Sequence, residues 1–147
     1  MATVSYGEEN DTNLKLMITL IRCFQSVRRA EEGWIKEHGL TLPQFMALEF
    51  LYHKGEVNVG ELIEKTHSTP GTMTVVIDNL AKDGFIIKER DKNDKRSFVL
   101  KITDRGTELM SRFFPIHMCN IGERFKVLDE NEKKQMIELC KKLGKGL

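Results

Sequence analysis

Cysteine is scarce in this sequence and follows no recognisable pattern. Cys23, Cys119 and Cys140 are the three cysteines of a 147-residue chain, and no two of them form a CxxC pair. An odd number of cysteines without metal-ligand spacing indicates neither a disulfide framework nor a structural zinc site. The four histidines also lack partners at ligand spacing. We therefore expect no bound metal, and reduced, partly buried thiols.

Long apolar runs, an excess of one charge and catalytic motifs are missing as well. No stretch reaches the ~18 consecutive apolar residues of a membrane span, and the chain does not begin like a secretory leader, so we expect a cytoplasmic protein without a membrane partner. The 23 Lys+Arg residues nearly balance 22 Asp+Glu residues. No P-loop, GxGxxG, GxSxG or HExxH is present, so we expect neither an enzyme nor a cofactor.

Apolar spacing predicts one helix near the start of the chain and a second soon after it. Apolar residues recur at three- and four-residue steps over 14–36, which is typical of an amphipathic helix. Thr41 and Gln44 have the spacing of a capping box, so a second helix is predicted over 42–53.

Two capped helices follow in close succession. Asn58 and Glu61 form a cap pair that opens a short helix. Ser68 or Thr69, with Pro70 at the first helical position, opens a longer one. Two short helices joined by a brief turn, the second of them well capped, are typical of a helix-turn-helix.

A β-hairpin is predicted directly after the second of these helices. Residues 85–90 and 97–103 have strand patterns, and the polar segment 91–96 between them is rich in turn-forming residues. The stretch 82–105 has eight basic and five acidic residues, which is a local positive excess in a nearly neutral chain. A basic hairpin beside a recognition helix is a wing, so residues 58–103 are predicted to form a winged helix-turn-helix lobe that binds DNA.

Helices with unmatched apolar faces complete the chain. Caps at Thr103 and Asp129 open predicted helices over 104–127 and 130–143. Their apolar side chains are too many for a three-helix module to bury.

The predicted fold is mainly α with a small β-hairpin wing. We expect a single domain over 1–147, in which residues 58–103 form the DNA-binding lobe. Residues 12–38 and 104–147 are expected to form a helical dimerisation region, because their apolar faces need a partner.

The start of the recognition helix and the tip of the hairpin have the side chains that bind a duplex. Hydroxyl groups and free N–H groups at a helix start contact phosphates or base edges, and Val75 suits a thymine methyl group. Arg96 is the preferred minor-groove contact, braced by Asp94 through a charge-assisted hydrogen bond. The predicted DNA-binding residues are Ser68, Thr69, Gly71, Thr72, Thr74, Val75, Arg90, Lys92, Lys95 and Arg96.

These features together resemble the MarR family, the multiple antibiotic resistance regulators. The resemblance rests on the stretch 72–80, on Gly84, on Asp94-Lys95-Arg96, and on a strand that ends Leu-x-Ile-Thr-x-x-Gly over 100–106. It implies a homodimer with a winged helix in each subunit. It also implies binding to a pseudo-palindromic operator in double-stranded DNA, usually to repress a gene.

The recognition helix departs from the family pattern in its charge. Family members commonly carry arginine at the positions corresponding to Val75 and Asn79, whereas this helix has no cation before Lys82. Base reading is therefore expected to depend on the hydroxyl-bearing residues at the helix start, and affinity on the wing.

The resemblance also implies that a small aromatic or anionic ligand releases the protein from DNA. Arginines on the first helix are candidates for pairing with a carboxylate, and aromatic side chains are candidates for lining a pocket. The candidate ligand-binding residues are Arg22, Arg28, Trp34, Phe45 and Tyr52.

Two other interpretations stay open. Cys23 suggests a thiol-based redox-sensing regulator, because a related branch of the family carries a reactive cysteine in the first helix. Arg22 would favour the thiolate, whereas burial beside Ile21 and Phe24 would oppose it. The uncharged recognition helix would also suit a winged-helix protein-interaction module, whose binding would depend little on salt.

Overall fold

A computed structural model describes residues 4–147, which contain six helices and three short strands. The chain is mainly α-helical with a small antiparallel sheet, as predicted. No helix in residues 4–147 is both long and apolar enough to cross a membrane. The elements in chain order are α1 (Glu8–Glu37), α2 (Leu42–Lys54), β1 (Glu56–Asn58), α3 (Val59–Lys65), α4 (Pro70–Lys82), β2 (Ile86–Arg90), β3 (Phe98–Ile102), α5 (Asp104–Phe125) and α6 (Glu130–Lys145).

The predicted helix caps set the helix starts. The side chains of Thr41, Asn58, Thr69, Thr103 and Asp129 each accept a hydrogen bond from a backbone N–H in the first turn of the following helix. A side-chain oxygen at this position satisfies an N–H group that has no partner inside the helix. Local sequence therefore defines where five of the helices begin.

α1 begins at Glu8, earlier than the predicted residue 14. Acidic residues in its first turn stabilise the helix, because they lie at the positive end of the helix dipole. Asp11 also accepts hydrogen bonds from the Ser5 hydroxyl at 2.5 Å and from the Tyr6 backbone N–H at 2.9 Å. These two bonds, the one from Ser5 first, hold the pKa of the Asp11 carboxyl below its usual value. Apolar periodicity misses this start because the first turns are polar.

β1 adds a third strand that the sequence did not predict. The strand order is β1-β3-β2, and both pairs are antiparallel. Val57 lies opposite Leu100 and both are buried. The Lys101 ammonium lies 3.0 Å from Glu89 and 3.5 Å from Glu56, so it joins all three strands. The hydrogen bond to Glu89 and the negative charge of both carboxylates raise the pKa of Lys101.

The hydrophobic core joins α2, α3, α4 and the sheet to the end of α1 and the first half of α5. The inner face of α4 is anchored in this core, so its outer face is held in a fixed orientation. The largest fully buried side chains are Ile35, Leu48, Leu51, Leu62, Met73, Ile77, Leu80, Leu100 and Met110.

The start of α5 packs closely against the hairpin at Gly106. A Cβ atom at this position would overlap the Phe85 carbonyl oxygen and lie 2.7 Å from Ile102 Cγ1. The Thr103 hydroxyl donates to the Gly84 carbonyl at 2.7 Å and accepts from the Gly106 N–H at 3.1 Å. The glycine that ends the Leu-x-Ile-Thr-x-x-Gly pattern therefore allows the wing and α5 to touch.

α1 and α6 leave apolar faces uncovered. Between Glu8 and Glu37, Ile35 is the one buried residue, and none is buried between Glu130 and Lys145. The exposed large apolar side chains of α1, α5 and α6 are Leu14, Leu16, Met17, Ile18, Ile21, Phe24, Ile116, Met118, Met136, Ile137, Leu139 and Leu143.

The expectation of partly buried thiols was wrong. Cys23, Cys119 and Cys140 are unbridged and exposed. They lie on α1, α5 and α6, on helix faces that the rest of this chain does not cover, so helical periodicity alone overestimated their burial.

Candidate nucleic-acid interface

The hydroxyl groups at the start of α4 have different hydrogen-bonding partners. The Thr69 oxygen accepts from the Thr72 N–H at 3.2 Å, and its hydroxyl lies 3.0 Å from Thr72 Oγ1, to which it donates. The Thr74 hydroxyl donates to the Pro70 carbonyl at 2.8 Å. Thr69 and Thr74 therefore use their protons within the helix. The exposed Thr72 keeps a proton to donate outward, while Ser68 is half-buried in the preceding turn.

α4 has one buried and one exposed face. Met73, Val76, Ile77 and Leu80 point into the core. The exposed face carries Val75, whose side chain is 60% exposed. We call the exposed residues of α4 from Val75 onward the outer stripe, and it consists of Val75, Asp78, Asn79 and Lys82.

A compact loop forms the tip of the hairpin. Asp91 Oδ1 accepts from the backbone N–H groups of Asn93 and Asp94, at 2.7 Å and 3.2 Å. This is an Asx turn, in which a short acidic side chain replaces a backbone acceptor. The loop is thereby held in one shape by its own polar groups.

Arg90 braces this loop instead of projecting from it. Its Nη1 donates to the Lys95 carbonyl at 2.7 Å, and its guanidinium lies 5.3 Å from the centre of the Phe98 ring. Both contacts hold the side chain against the hairpin. Its predicted contact with DNA therefore gains a second role, which is to fix the position of the tip.

Arg96 projects from the tip with 94% of its side chain exposed. Asp94 Oδ1 accepts from the Arg96 backbone N–H at 3.0 Å and lies 3.4 Å from Arg96 Nε. The carboxylate thus orients the base of the side chain and leaves the other guanidinium donors free to reach a nucleic acid. Lys92 and Lys95 are exposed on the same loop.

A cleft of about 560 Å³ separates α1 and α2 from the start of α4. Its volume lies within the usual range of small-molecule sites. One wall is formed by the turn before α4 and the first residues of that helix, so an occupant of the cleft would touch the helix that is predicted to contact DNA. The lining residues are Phe24, Val27, Arg28, Glu31, Leu42, Pro43, Met46, Thr66, His67, Ser68, Thr69, Thr72 and Met73.

The structure does not bring the five candidate ligand-binding residues together. Arg28 alone among them lines the cleft. Trp34 and Phe45 pack into an aromatic cluster with Phe113, at ring distances of 5.0 Å and 5.2 Å. Tyr52 contacts His53 and Phe114, and Arg22 is exposed on α1. Their role in ligand binding stays a prediction, because helical spacing does not distinguish a core face from a pocket face.

The sequence did not reveal a polar cluster beside this cleft. The Glu31 carboxylate pairs with Arg124 and lies 3.3 Å from His117 Nε2. His117 is only 3% exposed, and its Nδ1 has no hydrogen-bond partner within residues 4–147. The cluster joins α1 to α5. No local pattern signals it, because the partners are widely separated in sequence.

Comparisons with known proteins identify the family. The MarR family model matches residues 40–98. The helix-turn-helix transcriptional regulator YkoM of Bacillus subtilis is 34% identical, over 98% of this chain and 94% of its own length. The chain belongs to the MarR family. It is therefore a helix-turn-helix transcriptional regulator, in a family of DNA-binding regulators rather than enzymes.

Solved structures of DNA-binding proteins share its fold. A variant of MarR from E. coli, solved with operator DNA, has a TM-score of 0.80 at 20% identity and covers 93% of this chain and 99% of that chain. BpsR of Bordetella bronchiseptica, whose DNA binding is regulated by 6-hydroxynicotinic acid, has a TM-score of 0.79 at 22% identity and covers 88% and 98%. These likenesses establish the winged-helix fold.

Other polar groups of this MarR-family chain form no further site in the part that the structure describes. No group of three or more His, Cys, Asp or Glu residues within 4–147 is arranged to hold a metal ion. Cys23 is exposed on α1 and does not line the cleft, so the burial that the sequence set against its reactivity does not occur within one chain.

Proposed function

We propose that this protein is a sequence-specific repressor that binds a pseudo-palindromic operator as a homodimer. The carrying observation is the pairing of two exposed features on one anchored lobe. These are the recognition helix, with its hydroxyl-bearing start, and a rigid hairpin tip that carries Arg96. A helix end and a basic tip held in fixed relation fit a major groove and the neighbouring minor groove.

The proposed contacts divide into positioning and reading. Ser68, Gly71 and Thr72 lie where hydroxyl and N–H groups of a helix start meet phosphate. Thr69 contributes its backbone N–H there, because its hydroxyl proton is donated to Thr72. Lys92 and Lys95 supply phosphate contacts from the wing, and Arg96 enters the minor groove. Arg90 positions the tip, while Thr74 and Val75 face base edges.

The dimer is proposed from the apolar faces that the chain leaves uncovered. Residues 12–38 and 104–147 contain these faces, and residues 58–103 contain the DNA-binding lobe. A contiguous apolar surface of this kind marks an interface. Two lobes related by a twofold axis would bind two half-sites, as a palindromic operator requires.

Operator binding by an Arg96→Ala variant tests the proposal. We expect the substitution to weaken binding by about 1–3 kcal/mol at matched salt, because one groove contact is lost. Lys134→Ala, which removes an exposed cation from α6, is the matched control and should leave affinity unchanged. An electrophoretic shift assay measures both.

Salt dependence separates DNA binding from a protein-interaction role. Phosphate contacts release counterions, so affinity for an operator should fall steeply as salt rises. A flat salt response, or unchanged affinity in Arg96→Ala, would contradict the proposed interface and favour the protein-interaction module.

We further propose that a small aromatic or anionic ligand in the cleft releases the operator. The cleft has mainly apolar walls, and the start of α4 forms part of its lining. Arg28 and Glu31 are its two charged lining residues, and the Glu31 carboxylate is already paired with Arg124. A ligand seated there would displace Ser68, Thr69 and Thr72, which are proposed to contact DNA. The Bordetella relative shows that an aromatic acid regulates one protein of this fold.

Calorimetry with aromatic carboxylates tests the ligand class. We expect heat of binding for the unmodified protein and a weaker response for Arg28→Ala. Glu130→Ala, an exposed α6 substitution, should respond like the unmodified protein. Absence of heat across the series would reject this class. Release by mild peroxide instead, with Cys23 oxidised, would favour the redox alternative.

A further inference from the structure

The outer stripe of α4 has a chemistry that limits which base pairs it can face. Residues 70–81 contain no lysine or arginine, so before its last residue, Lys82, α4 lacks the bidentate donors that read guanine. We propose that the outer stripe reads an A·T step in each half-site, with Val75 against a thymine methyl group and Asn79 on the neighbouring adenine. This inference rests on the proposed operator binding.

Val75 is the side chain that points to thymine. It is 60% exposed, and Ile87, at 46%, is the other large apolar side chain exposed in residues 58–103. Val75 projects from an anchored helix whose opposite face is fully packed. The C5-methyl group of thymine is the one apolar group that a base pair presents in the major groove, so contact with it would bury both apolar groups.

Asn79 follows Val75 by four residues and lies on the same face of the helix. An asparagine amide both donates and accepts, which matches N7 and the N6 amino group of adenine. Side chains one helical turn apart are about 5–6 Å apart at Cβ. That separation suits neighbouring base pairs, so both residues can be used at once.

Asp78 strengthens the discrimination against guanine. A carboxylate accepts hydrogen bonds only, whereas guanine presents two acceptors in the major groove. The Lys88 ammonium lies 3.9 Å from Asp78 Oδ1 and partly offsets its charge. Asp78 can therefore approach the duplex without repelling it outright, while an opposed guanine stays unfavourable.

Base analogues test the proposal on the full-length protein. An operator is selected from random duplexes, and each thymine of one half-site is replaced in turn by uracil, which removes only the methyl group. At one position we expect the affinity to fall about fourfold. This corresponds to ~0.8 kcal/mol, the free energy of burying one methyl group, which uracil lacks. Val75→Ala should bind the thymine and uracil duplexes equally.

Adenine is tested in the same way with 7-deazaadenine, which removes N7. We expect about a fivefold loss at a position next to the sensitive thymine, corresponding to ~1 kcal/mol for one hydrogen bond. Asn79→Ala should lose this sensitivity and keep the response to uracil.

Matched controls are Val127→Ala and Asn131→Ala, which remove the same side chains at exposed sites outside the lobe. Both should keep the two analogue effects. The proposal is overturned if selected half-sites lack thymine, if no thymine position responds to uracil, or if Val75→Ala keeps the full response. If the protein binds no duplex, or if its binding does not depend on salt, the proposed function itself is rejected.

Discussion

The winged lobe and the terminal helices differ in where their apolar side chains go. In the lobe, α4 buries Met73, Val76, Ile77 and Leu80 within its own chain. In α6, no residue is buried. Burial within the chain stabilises the fold of the lobe, whereas burial of the terminal faces requires a second chain. The same apolar periodicity thus serves folding in one region and, in the dimer that we propose, assembly in the other.

The largest effect is expected from a charge placed on the α6 face. Leu139 is 66% exposed in the single chain. In a twofold dimer, Leu139→Glu introduces one glutamate from each subunit into the interface. An unpaired buried carboxylate costs several kcal/mol. We expect the dimer to weaken by at least ~4 kcal/mol, or roughly a thousandfold. Light scattering at several concentrations measures this.

Lys134→Glu is the control, because it changes an already exposed polar position on α6. It should stay dimeric, and circular dichroism should show that Leu139→Glu retains its helices. A dimer of undiminished affinity in Leu139→Glu would show that this face is not the interface, and would remove the contrast between the two regions.

A smaller effect, confined to folding, is expected where α5 meets the wing. Gly106→Ala introduces a Cβ atom against the Phe85 carbonyl oxygen and Ile102. Neither the Phe85 backbone nor the Ile102 side chain can move without disturbing the core. We therefore expect a loss of about 3 kcal/mol in the free energy of unfolding. Chemical denaturation measures this loss.

Gly122→Ala on the same helix is the matched control. A Cβ atom at Gly122 meets nothing within 4 Å in the chain, and alanine favours a helix over glycine by up to ~1 kcal/mol. Equal destabilisation by both substitutions would mean that the close contact with the hairpin is not what requires glycine.

The smallest effect is expected where α1 is fixed to α5. Glu31→Gln removes the charge that pairs with Arg124 and faces His117, and we expect a loss of about 2 kcal/mol because a largely buried donor is left unsatisfied. The adjacent Glu32→Gln breaks only an exposed pair with Arg28 and should cost at most ~0.5 kcal/mol. Thermal and chemical unfolding measure the stability of both variants. Equal losses in the free energy of unfolding would show that the cluster does not fix α1.

Prediction from sequence succeeded where the signal was local. Thr69 and Asn58 cap helices through hydrogen bonds to residues three positions away, and such spacing is visible in a sequence. The hairpin was equally visible, because turn-forming residues stand between two alternating strands. The three-residue strand β1 was missed, because a strand that short shows no alternation.

The sequence could not show whether the candidate ligand residues line one cleft. Trp34 and Phe45 lie at helical spacing, which is the same for a core face and for a cavity wall. The structure uses them in the core and builds the cleft from Phe24, Glu31 and the turn before α4. These residues come from α1 and from the turn before α4, which lie far apart in sequence, so their proximity depends on how the helices pack.

The sequence by itself determined the starts of the five capped helices, the recognition helix and the wing, because each depends on hydrogen bonds and apolar spacing over a few neighbouring residues. Tertiary structure decided that Arg90 braces the tip while Arg96 projects, and that Glu31 pairs with Arg124, ninety-three residues away. These outcomes depend on distances between packed elements. Such distances are set by the core as a whole, and no short stretch of sequence contains them.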